Sequence, residues 1–162
     1  MEELLDRILA LLRQAGIRCE AAWPARTAPQ LAAPMTTARI ERAELKEAGI
    51  GGWLGLLDDP KTGLREIRGR TLEATALLRV ASPARLGGQV CFREACRVMD
   101  ALLAGAEGLA IGPCTQEENR YDRASGLFLT EIRAGLRVHV LPAVQPEEEF
   151  EIEDINLKGE IV

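Results

Sequence analysis

Gly126-Leu127-Phe128-Leu129-Thr130-Glu131-Ile132-Arg133-Ala134-Gly135-Leu136-Arg137-Val138-His139-Val140-Leu141 is the stretch that decides the fold of this chain. Phe128, Ile132, Ala134, Leu136, Val138 and Val140 fall on even positions, so an extended chain turns them all to one side. Glu131, Arg133, Arg137 and His139 turn to the other. A sheet built on such a strand packs one face and leaves the second charged. The lone histidine therefore stands among charges on the polar face, which is either solvent surface or a place where another subunit sits.

Outward from that strand the same logic repeats. Leu72, Ala74, Ala76, Leu78 and Val80 alternate with Thr71, Glu73, Thr75 and Arg79, and only Leu77 breaks the pattern. Cys91, Phe92, Ala95, Cys96, Val98, Met99, Leu102 and Leu103 recur at helical spacing opposite Arg93, Glu94, Arg97 and Asp100. Leu4, Leu5, Ile8, Leu11, Leu12 and Ala15 do the same near the start, with Leu9 off the stripe and Gly16 placed to end the helix. The chain thus follows one plan twice: a helix over 1–15 with strands over 35–44 and 64–80, then a helix over 88–104 with strands over 109–118 and 126–141. The expected fold is α+β, a single domain over 1–144 with a mainly antiparallel sheet of about four strands and both helices packed on one face.

Between these elements lie two irregular stretches. Trp23, Pro24, Pro29 and Pro34 mark a loop or extended arm. Gly49-Ile50-Gly51-Gly52-Trp53-Leu54-Gly55 lacks both the lysine of a phosphate loop and the strand–turn–helix frame of a dinucleotide site. With the Asp58-Asp59-Pro60 turn it predicts a protruding hairpin tip or loop over 49–63. After Pro146 the composition becomes acidic. Residues 145–162 form a C-terminal arm in which Phe150, Ile152, Ile155 and Leu157 are set among carboxylates. A purely solvating tail has no use for those four side chains, whereas an arm lying against a partner as an added strand does.

At 162 residues and a net charge of −5, the chain has the size of one domain and lacks the basic surplus that non-specific nucleic-acid or anionic-membrane binding needs. No apolar run approaches the roughly 20 residues of a membrane span, and Glu2, Glu3 and Asp6 occupy the place of a secretory signal's basic region. Cys19, Cys91, Cys96 and Cys114 lack the paired spacing of a zinc ribbon and read as reduced structural thiols. Cysteine–histidine chemistry requires a thiolate within reach of His139; Cys91 and Cys96 point into the apolar helix stripe, and Cys114, near Pro113 in a strand-like stretch, is the partner left. Asp58, Asp59 and Glu66 lack the spacing of a calcium loop. No catalytic, cofactor-binding or metal-ligating set is expected.

Trp53-Leu54-Gly55-Leu56-Leu57-Asp58-Asp59-Pro60-Lys61-Thr62-Gly63, followed by Glu66-Ile67-Arg68-Gly69-Arg70 and an alternating strand, resembles small structural proteins of Firmicutes prophage tail modules and phage-tail-like particles. Tyr121-Asp122 before Gly126-Leu127-Phe128 resembles the same group, and the order of elements is similar to the tail-terminator family. The resemblance implies a sheet with helices packed against it that assembles into a ring capping the tail tube. It also implies no enzymatic activity and no cofactor. The partners would be copies of this chain and tail-tube or neck proteins, in the bacterial host cytoplasm during assembly and in the virion or tail-like particle afterwards. Glu131, Arg133, Arg137 and His139 on the strand face, with Phe150, Ile152, Ile155 and Leu157 on the arm, are the candidate assembly residues. The competing readings are a monomeric bacterial α+β binding or regulatory domain and, further off, a small cysteine-dependent enzyme.

Overall fold

The computed structural model describes residues 2–22, 30–59 and 63–141. Helix α1 (Glu2–Gln14) carries Glu2 and Glu3 in its first turn and Arg13 in its last, as the helix dipole favours. It stops at Gly16, whose φ of +70° lets its N–H reach the Arg13 carbonyl at 2.9 Å while the Ile17 N–H reaches Leu12 at 3.0 Å. Leu4, Ile8, Leu11 and Leu12 are buried. Leu9, off the expected stripe, is buried as well, because the chain folds back past it and Cys19 Sγ donates to the Leu9 carbonyl at 3.3 Å. Ala15, expected on the stripe, is exposed.

The strands follow as β1 (Cys19–Ala21), β2 (Met35–Glu47), β3 (Trp53–Asp59), β4 (Gly63–Arg68) and β5 (Arg70–Pro83). Helix α2 (Gly88–Ala104) comes next, then β6 (Ala110–Gln116), β7 (Arg120–Asp122) and β8 (Leu127–Val140). The main sheet has six strands in the order β1-β2-β5-β8-β6, with β7 also paired to β8. Every pairing in it is antiparallel except β1 with β2. The fold class is α+β as expected, but four strands become six. The two additional strands are three residues each, too short to show an alternation. The centre is the ladder of β5 and β8, in register from Arg70 opposite Val140 to Pro83 opposite Leu127.

Leu78, Val80, Ile132, Ala76 and Ala134 are fully enclosed on one face, in a single core with Ile8 and Leu12 of α1 and with Cys91, Val98 and Leu102 of α2. Both helices therefore cover the same face. Phe128 and Met99 pack against that core while remaining partly accessible. Phe92 and Leu103, expected in the buried stripe of α2, are exposed. Val140 is exposed too, although it lies on the helix side of its strand. No helix of the described residues is long and apolar enough to cross a membrane.

The expected strand over 64–80 divides at Gly69 into β4, which pairs only with β3 in a separate two-stranded sheet, and β5. A Cβ at Gly69 would lie 2.5 Å from the Val140 carbonyl oxygen and 2.8 Å from Leu54 Cδ1, so only glycine lets the chain cross there. The Gly69 N–H donates to the Gly52 carbonyl at 2.8 Å and ties off the root of the hairpin. The described residues of the segment over 49–63 make a 3₁₀ turn at Ile50–Gly52 and then β3, which pairs antiparallel with β4, so of the expected hairpin or loop the structure shows hairpin strands.

Candidate assembly surfaces

The face of the sheet away from the helices carries the four strand residues singled out in the sequence. They are brought together, but unequally. Glu131 is only 8% exposed. It accepts from Arg79 Nε at 3.0 Å and Nη2 at 2.6 Å, and Arg120 and Arg133 stand 3.9 and 3.5 Å from it. Arg133 also donates to Glu41 at 3.3 Å and to Glu117. Arg137 donates to Glu73 at 3.1 Å, and Thr71 Oγ1 lies 3.4 Å from His139 Nδ1. Leu77, the break in the alternation, projects to this charged face between Arg39 and Arg133 in the register, yet is only 3% exposed. Flanking arginine stems are the kind of cover that buries such a residue while their charged heads stay in water.

This face is consequently paired within the chain. Glu73 is held below the ordinary glutamate range, first by the hydrogen bond from Lys46 at 2.6 Å, then by that lysine's charge and by Arg137. Lys46 is raised correspondingly, chiefly by its bond to Glu73 and by the charge of Glu44. Arg133 is raised by its bond to Glu117. A carboxylate depressed in this way stabilises the fold above its unfolded pKa, and that contribution is lost as pH falls through the lower folded value. Reversing Arg133 or Arg137 to glutamate would also set like charges together inside one chain, so such variants report on folding as well as docking.

Cys114 and His139 are not brought together. Cys114 is opposite Ala134 on the helix side of β8, whereas His139 is opposite Thr71 on the outer side. Burial raises the thiols of Cys19, Cys91 and Cys114, away from the thiolate that nucleophilic chemistry uses. Cys91 Sγ instead lies within donating distance of the Val80 and Phe128 carbonyls, at 3.6 and 3.4 Å. Glu66 pairs with Arg68 at 3.2 Å, and among the described residues no group of three or more histidine, cysteine, aspartate or glutamate side chains is placed to hold a metal.

Two apolar surfaces accompany the charged face. On the hairpin, Ile50 is 97% and Leu64 72% exposed, and Trp53 and Leu56 are about half exposed or more. The second runs along α2 and the β6 margin, where Phe92, Leu103 and Tyr121 are exposed. The sequence did carry a signal for it. Eight apolar positions on α2 span more of the helix than the roughly 100° stripe that one sheet face covers. The remaining candidates, Phe150, Ile152, Ile155 and Leu157, lie outside the described residues, as does the arm over 145–162.

No protein-family profile matches this chain, and no curated protein does. Among solved structures, it is similar to a chain described as "Virion of native gene transfer agent (GTA) particle", with a TM-score of 0.45 and 15% identity over 84% of this chain and 92% of that one.

Proposed function

We propose that this chain is a non-enzymatic structural component of a phage or prophage tail, similar to a tail terminator, acting by assembly into a ring or neck. The observation that carries the reading is the β3–β4 hairpin. A two-stranded hairpin is marginal in water on its own. This one projects Ile50, Trp53, Leu56 and Leu64 to solvent and pairs with no other strand of the described fold. A neighbouring subunit supplies the missing cover.

The resemblance of the hairpin's sequence to tail-module proteins supports the same reading. The outer face, its charges already balanced within the chain, would meet a neighbour through Arg137, His139 and the outer edge of Arg133. There charge complementarity fixes register more than it adds affinity. The arm carrying Phe150, Ile152, Ile155 and Leu157 reaches to the next copy. The chain would be made in the host cytoplasm and retained in the mature particle.

Mass spectrometry of purified particles from the host element tests the assignment. The expected result is this chain present at a fixed, ring-like number of copies per particle. Its absence from intact particles would contradict it and favour a separate binding or regulatory domain.

A further inference from the structure

We propose that the apolar margin along the β6–β7 edge receives residues 149–153 of a neighbouring copy as an added strand. The proposal rests on the assembly reading above and names the receiving site for its arm.

The margin has two parts. One is an open sheet edge. β6 ends the strand order, β7 continues its line beside β8, and among the described residues no strand pairs their outer side. Exposed edges of this kind are templates for another strand. From Ala110 to Gln116 the edge reads Ala-Ile-Gly-Pro-Cys-Thr-Gln, without a single charge, and Pro113 withholds only its own N–H.

The other part is a helix flank. Cys91, Ala95, Val98 and Leu102 form the line on α2 that packs on the sheet. Phe92, Cys96, Met99 and Leu103 each follow one of these by one residue, so they make a second line turned about 100° from the first. The opposite flank faces α1, since Arg97 Nη2 donates to the Ala15 and Gly16 carbonyls at 3.2 and 3.3 Å. The second line therefore overhangs β6. Phe92 opens onto a cleft of about 470 Å³ shared with Gln116, Glu117 and Asn119, and Leu103 at the far end is 74% exposed. Tyr121 extends the apolar border along β7, its ring 5.2 Å from that of Phe128.

A strand added here would turn alternate side chains onto the α2 flank and the rest toward the outer face. Glu149-Phe150-Glu151-Ile152-Glu153 has that period. Phe150 and Ile152 would cover the Phe92–Leu103 line, and the carboxylates would lie beside an uncharged β6 on the side where Arg133 and Arg137 rise from β8. The other long free edge, β2 beyond Arg39, suits this segment poorly. It is densely charged, with Glu41, Glu44 and Glu47 set among Arg42 and Lys46, where β6 is uncharged.

Geometry also assigns the segment to a neighbour. β8 runs antiparallel to β6 and continues past Arg137, the partner of the first β6 residue, so it launches the chain away from the edge. To occupy its own margin the arm would have to reverse and cross the entry to β6, which connections avoid. Arm into the next margin is a heterologous contact, the kind that closes into rings.

The test places p-benzoylphenylalanine at position 150 of the full chain, produces particles with the host tail module, and irradiates them. The expected product is a covalent dimer joined through a peptide within 89–103 or 110–122. Phe92→Arg with Leu103→Arg should cut the dimer about ten-fold or more, while the free chain melts within about 2 °C of the parent. Leu45→Arg on the β2 edge should leave the yield unchanged. An adduct confined to one chain, a dimer joined through β2 or the hairpin, or particles that contain the chain but give no adduct would each overturn the proposal. Particles without the chain would bring down the assembly reading itself.

Discussion

Ile132→Ala should lower the unfolding free energy by about 2–5 kcal/mol, the range for removing most of a fully enclosed aliphatic side chain. Ile132 is opposite Leu78 across the central ladder, and both are wholly buried in the core shared by the two helices. Little room exists for collapse, because Ala76 and Ala134 beside them are already small and fully enclosed. For a chain of this size the loss corresponds to roughly 4–20 °C in Tm at about 2–4 °C per kcal/mol. Leu64→Ala, on the exposed hairpin, should stay within about 0.5 kcal/mol. Urea unfolding followed by circular dichroism measures both, and equal losses would contradict the enclosure of Ile132 in the core.

The largest functional effect is expected from Trp53→Thr, Leu56→Thr and Leu64→Thr combined. Threonine keeps the β preference of the hairpin and removes its apolar surface. Each of these side chains is substantially exposed in the single chain, so thermal stability of the free protein should barely change. Where a neighbouring subunit covers the hairpin as proposed, truncating a central aromatic anchor typically costs 2 kcal/mol or more, about thirty-fold in affinity. The variant should therefore fold normally and fail to enter particles. Normal incorporation would show that the hairpin faces solvent in the particle as well.

Much of this architecture was legible because its signals are local. The α2 stripe is bracketed by Gly87 and Gly105, both at positive φ, and its bounds agree with the helical spacing. β8 shows its alternation over 14 residues. β1 and β7, at three residues, carry less than two periods, and their pairing is decided by the neighbouring strand. The break at Gly69 was hidden because both sides of it are extended, and only the approach of Val140 and Leu54 from elsewhere forces it.

The candidate surface divides in the same way. The side of the strand on which Glu131, Arg133, Arg137 and His139 stand follows from alternation. That Glu131 is enclosed by Arg79, 52 residues earlier, does not, because ion pairing across strands depends on register. Leu77 resisted for a related reason, since its flanking arginines come from two other strands.

Imaging particles from a host element that lacks this gene is the most direct test of the structural role. Overlong tails, or tails unjoined to heads, restored by a wild-type copy supplied in trans, are the predicted result. Joined particles with tails of parental length would contradict it.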